Sequence, residues 1–126
     1  GTTYQGGSGP CTDGWSVIGC GTVFMLTPPA SGQTDWTETV IHSFEGSDGA
    51  FPQGGVIMSG GALYGMASGG GQGGTGNDGV VFRLTPPASA QTSWTETVLH
   101  DFAISTSGQT PVGELAVDST GRSGRI

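Results

Sequence analysis

Glu38 and Glu96 each stand in a T-E-T-V setting, and two carboxylates are the minimal equipment for acid–base cleavage of a glycosidic bond. That chemistry needs the two groups roughly 5–10 Å apart. Nothing in the sequence brings these two into one cleft, so the structural reading, a solvated strand glutamate, stands beside the catalytic one. His42 and His100 each follow four residues behind a glutamate. An imidazole can serve as general acid or base, or ligate a metal. A histidine repeated at the same place more often holds structure through hydrogen bonds. Glu38, Glu96, His42 and His100 are therefore the catalytic candidates, each with a structural alternative.

Trp15 belongs to a different setting. It lies beside Asp13 in GPCTDGWSVIGCG, a stretch with no sequence counterpart elsewhere in the chain. An aromatic ring on a constrained loop can stack on a sugar, so Trp15 and Asp13 are the ligand-binding candidates. Trp36 and Trp94 occupy equivalent strand starts and are expected to pack in the core. Cys11 and Cys20 bracket the unique stretch. Confinement of both to one insertion reads as a local disulfide formed in an oxidising compartment, with free buried thiols as the alternative. Two cysteines without nearby histidines cannot complete a tetrahedral zinc site. The Gly/Asp loops at Asp48 and at Asn77-Asp78 could offer calcium carboxylate and carbonyl oxygens. They lack dense Asp-x-Asp-x-Asp spacing, so turn formation is the preferred reading and no cofactor is expected. Residues 69–76 are not a phosphate loop, because no lysine and no helix follow them.

These residues are carried by an internal repeat. Residues 21–44 and 79–102 align with 18 identities in 24 positions at an offset of 58. A fixed period of this size marks a repeat architecture built from one supersecondary unit. Each repeat divides into four segments of strand character, which in the first are residues 22–27, 36–44, 55–58 and 62–67. Pro28-Pro29 ends the first segment, since proline cannot donate to a strand ladder. Period-two alternation runs through Trp36, Glu38, Val40, His42 and Phe44. Ser59-Gly60-Gly61 reads as a tight hairpin. Phe24, Leu26, Val40, Phe44 and their counterparts Phe82, Leu84, Val98 and Phe102 are the expected core. The variable Met25/Arg83 position is expected to face solvent.

The organisation expected is one domain, 1–126. It divides into a blade-end strand at 1–5, a cysteine loop at 6–20 and repeat one at 21–68. A connector at 69–78 and an incomplete repeat two at 79–126 follow. The fold class is all-β, with two four-stranded antiparallel blades like those of a β-propeller. Residues 1–5 match the end of a blade. Residues 111–118 match a third strand, with a turn at 119–121 and an arginine-bearing tail at 122–126 where the fourth should be. A propeller needs four to eight blades, so either a homo-oligomer or a longer propeller containing this stretch is expected.

Composition narrows the partners. Ten acidic residues against three basic ones give a net charge of -7, and there is no lysine. Phosphate backbones and anionic bilayers select clustered Lys and Arg, so nucleic acid and membrane insertion are excluded. No apolar run approaches the ~20 residues that span a bilayer, and no signal peptide opens the sequence. Low charge with 26 glycines and many Ser and Thr suits an exported protein, extracellular or at the cell surface.

The motifs G-T-V-F-M-L-T-P-P, W-T-E-T-V-I-H-S-F, D-G-A-F-P-Q-G-G-V-I and A-L-Y-G resemble the GloVer-type tandem repeat. The resemblance covers most of the chain and departs from the pattern at the cysteine insertion and at residues 122–126. It implies bacterial exported, surface-anchored repeat proteins and brings no established catalytic residues. The functional expectation is a non-catalytic extracellular domain for structure, adhesion or glycan binding. A secreted hydrolase of polysaccharides or esters, with its site between blades, is the alternative.

Overall fold

The computed structural model describes residues 1–72 and 78–118, and all its regular structure is strand. The strands are β1 (Thr2–Thr3), β2 (Thr22–Thr27), β3 (Thr37–Ser43), β4 (Ile57–Ser59), β5 (Ala62–Ala67), β6 (Val80–Thr85) and β7 (Thr95–Asp101). They form two antiparallel sheets, one of order β1-β2-β3 and one of order β4-β5-β6-β7. β2 and β5 begin and end at the expected residues, because β-branched and aromatic runs stop at Pro28 and at the glycine-rich link after Ala67.

The sheets are not the two four-stranded units expected. Repeat one is split: β2 and β3 belong to the first sheet, β4 and β5 to the second. β5 pairs with β6 across the repeat boundary, with Ala67 opposite Val80 and Leu63 opposite Leu84. In the first sheet β1 pairs with β2 in the same way, Thr2 opposite Val23 and Thr3 opposite Thr22. The expected strand at 1–5 shrinks to Thr2–Thr3. The cysteine loop and the 69–78 connector therefore occupy corresponding places in the chain, one between β1 and β2, the other between β5 and β6.

Equivalence extends to fine detail. Each sheet has a β-bulge, between Val23 and Phe24 in the first and between Val81 and Phe82 in the second. A Cβ on Gly65 would lie 2.5 Å from the Phe82 ring, and one on Gly1 would lie 2.7 Å from the Phe24 ring. Only glycine lets the phenylalanine lie flat over the neighbouring strand. Phe51 and Thr110, both at φ 56°, donate backbone N–H bonds of 2.8 Å to Cys20 and Asp78. Residues 112–117 thus follow the repeat, yet they form no strand. The expected turn at 119–121 and the tail at 122–126 lie outside the described residues.

Register fixes which faces meet. Val23, His42 and Phe44 share one face of the first sheet; Phe24, Leu26, Val40 and Glu38 share the other. In the second sheet Val80, Phe82, Leu84, Val98 and Glu96 share a face. Phe44 meets Phe82 edge-on at a centroid distance of 5.1 Å, so the Val23 face packs on the Phe82 face. Cys20, Val23, Phe44, Ala50, Ala67, Val80, Phe82 and Leu84 form the core.

The expected core is therefore half right. Phe44, Phe82 and Leu84 are fully enclosed and Val98 packs against them. Leu26 and Val40 are 51% and 50% exposed, because nothing covers their face of the first sheet. Phe24 and Phe102 are half-buried. Trp36, expected inside, is 60% exposed for the same reason, while Trp94 packs against the core. Met25 is exposed as expected. Arg83 is half-buried, with an enclosed Nε that has no hydrogen-bond partner among the described residues.

Phe82→Ala should lower the unfolding free energy by about 3–5 kcal/mol, the cost of a cavity under an aromatic side chain. Met25→Ala should cost about 1 kcal/mol or less, since the side chain remains largely in water. Urea titrations of the two variants check both figures.

Candidate functional site

Two places hold the sequence candidates. The first is the link between β1 and β2. Cys11 and Cys20 are disulfide-bonded, with Cα atoms 5.0 Å apart. Cys20 belongs to the core, so the disulfide ties the loop to the folded body. Thr12 bridges Val17, and Asp13 N–H donates to the Ser16 carbonyl at 3.3 Å, which makes the loop a small hairpin. Asp13 Oδ1 accepts the Trp15 and Ser16 N–H groups, both at 2.9 Å. Those bonds, Ser16 foremost, hold the Asp13 carboxyl below its ordinary range. Asp13 therefore shapes the turn, and Trp15 projects from it 96% exposed.

The second place is the seam between the sheets. His42 Nε2 lies 3.0 Å from Asp48 Oδ2, and Asp48 Oδ1 accepts the Glu45 N–H at 2.8 Å. Burial alone would raise the Asp48 carboxyl, but the His42 bond, the Glu45 bond and the imidazole charge outweigh it and lower it. The carboxylate is thus ionised near neutrality and His42 donates. His42 also stands edge-on to Phe44 at 4.8 Å.

Glu96, half-buried on the facing sheet, has its Oε1 enclosed without a hydrogen-bond partner among the described residues. Burial pushes its carboxyl up from 4.5 to about 7; Asp48 and Asp101 add to the rise and His42 opposes it. His100 keeps the stacking of its counterpart, 4.8 Å from Phe102, but is exposed and has Ser107 where His42 has Asp48: Ser107 Oγ accepts the Ala103 N–H as Asp48 Oδ1 accepts the Glu45 N–H.

The four catalytic candidates do not converge. Glu38 projects from the uncovered face of the first sheet, whereas Glu96 lies against its covered face. The sheet itself stands between the two carboxylates, so they form no glycosidase pair. Only His42 and Glu96 share the seam. The sequence reading considered Asp48 for calcium and missed it as the partner of His42. The signal was available, since the first repeat carries Asp48 in this loop while the matching stretch 103–110 of the second has no carboxylate.

Asp78, the other loop carboxylate, accepts the Ile104 N–H at 3.0 Å; Asn77 lies outside the described residues. Among the described residues no three His, Cys, Asp or Glu side chains gather in a metal-ligating arrangement.

Two grooves open at the edges of the seam. One, of about 300 Å³, is apolar and lined by Gly1, Phe24, Leu26, Met58, Leu63 and Trp94 among others. The other, of about 350 Å³, sets Trp94 among Thr39, Thr92 and Ser93. No family model, curated protein or solved structure matches this chain. Among the described residues no helix is long and apolar enough to cross a membrane.

Replacing Cys11 and Cys20 by serine should cost about 2–3 kcal/mol, the loop-closure entropy for a ring of this size. Denatured, unreduced protein should titrate no free thiol.

Glu96 gives a pH signature. Folded, it holds its proton more tightly than unfolded, so below 4.5 it adds no differential. Between 4.5 and about 7 deprotonation increasingly disfavours the folded state, and above 7 the penalty is complete. Glu96→Gln should accordingly raise stability at pH 8 by about 1 kcal/mol, a figure reduced for partial exposure, and change little at pH 4. Unfolding free energies at the two pH values test this, and parallel Glu96→Gln and wild-type profiles would contradict it.

Proposed function

We propose that this chain is a non-catalytic extracellular β-repeat domain of propeller type that binds glycan through the cysteine hairpin. The observation that carries the reading is Trp15, 96% exposed at the tip of a disulfide-closed turn. Leaving an indole in water forgoes burial that would stabilise the fold. The Asp13 bonds and the disulfide hold the backbone of that turn in one arrangement before any ligand arrives. A preorganised aromatic surface loses little entropy on binding. Sugar rings present apolar C–H faces that suit it, and an acidic chain without lysine suits a neutral or cationic glycan over an anionic one.

A disulfide fits an oxidising, extracellular setting. The resemblance to GloVer-type repeats points to the same location.

The second reading, a secreted hydrolase, is supported by the His42–Asp48 pair beside Glu96 at the seam. Its expected mark is polysaccharide or ester turnover that disappears in His42→Gln.

A glycan-array screen of the intact chain, followed by titration of the hits, tests the first reading. Trp15→Ala should lower affinity at least about tenfold, in line with losing one stacking residue, while leaving the thermal midpoint unchanged. Binding that survives Trp15→Ala would refute the assignment.

A further inference from the structure

The inter-sheet packing inside this chain specifies a second, identical contact whose two halves are both uncovered. Val23, His42 and Phe44 of the first sheet cover Phe82, Leu84 and Val98 of the second. By the 58-residue offset, the counterparts of the covered set are Phe24, Leu26 and Val40. The counterparts of the covering set are Val81, His100 and Phe102.

Exposure follows cover. Leu84 is 0% exposed and Leu26 51%; Phe82 is enclosed and Phe24 half-buried. Val23 and Phe44 are enclosed, whereas Val81 and Phe102 are half-buried and His100 is exposed. The two uncovered surfaces are the faces of the two sheets turned away from the Phe44–Phe82 seam, so they do not meet among the described residues.

We infer that the Phe24–Leu26–Val40 face of one copy docks on the Val81–His100–Phe102 face of a second copy, repeating the internal packing head to tail.

Two further features match this occupant. Across the internal seam His42 faces the carboxylate of Glu96, which it attracts. The counterparts brought together by the new contact are His100 and Glu38, again an imidazole and a carboxylate. The edges also agree. In the second sheet β4 lies beside β5, whereas β1, the counterpart of β5, is the outer strand of the first sheet. Residues 112–117 are the counterpart of the β4 segment and follow β7 as β4 follows β3. The operation that docks the faces therefore brings 112–117 of one copy beside Thr2–Thr3 of the next, in the place that β4 takes beside β5. The contact joins unlike surfaces, so it closes into a ring or propagates according to the rotation between copies.

Light scattering behind size exclusion tests the inference on the intact 126-residue chain, from micromolar to near-millimolar concentration. The wild type should run at a multiple of its 12.6 kDa chain mass. Leu26→Glu and Val81→Lys, each disabling one half of the contact, should each run as single chains with unchanged circular dichroism. An equimolar mixture of the two variants should form a dimer that grows no further, because each copy keeps one intact half. If Val81→Lys does not fold, His100→Glu, at an exposed position, must behave as its substitute. Single-chain mass for the wild type, wild-type mass for either variant, or a mixture that stays monomeric would each overturn the inference.

Discussion

Phe44 packed on Phe82 is the interaction on which the rest of this structure depends. Each ring comes from a different sheet, each is fully enclosed, and their contact sets which face of the first sheet is covered. Around it, Ala50 and Ala67 keep the seam thin while Val23, Val80 and Leu84 fill it. Gly65 lets Phe82 reach the seam without striking β5. The disulfide anchors through Cys20 to the same core, and His42 stands edge-on to Phe44. Loop, histidine and half-buried glutamate are all gathered at the seam that this aromatic contact closes.

This seam explains why equivalent residues in the two repeats behave differently. Leu26 and Leu84 both stand before T-P-P in otherwise matching strands, and Glu38 and Glu96 both stand in W-T-E-T-V. One leucine and one glutamate of each pair face the seam, while the others face outward. Glu96 thereby acquires a raised carboxyl pKa that sequence could not assign, because the cause is the facing sheet. Burial here is a property of the stacking order, and the last uncovered face inherits solvent whatever its residue types.

Strand positions were legible to the residue in places. β2 and β5 follow from β-branched and aromatic runs bounded by Pro28 and by Gly-rich links. The disulfide followed from the confinement of Cys11 and Cys20 to one insertion. The phase of the sheets was not legible. A repeat gives a period but no origin, and the origin is set by the pairing of Ala67 with Val80 across a glycine-rich connector that in sequence reads as a boundary between units. Trp36 was misplaced for a related reason, since its type fits a core and only the absence of a covering sheet exposes it. Of the candidate site, Trp15 was legible as an asymmetric aromatic, whereas the role of Asp13 as a turn-forming acceptor needed the backbone.

The most direct measurement of this account is a double-mutant cycle between Phe44→Leu and Phe82→Leu, read by chemical unfolding at one fixed protein concentration. Rings in edge-on contact within a closed core should couple by about 0.5–1.5 kcal/mol. Additivity within about 0.3 kcal/mol would mean that the two sheets do not meet through these rings, and the seam would have to be placed elsewhere.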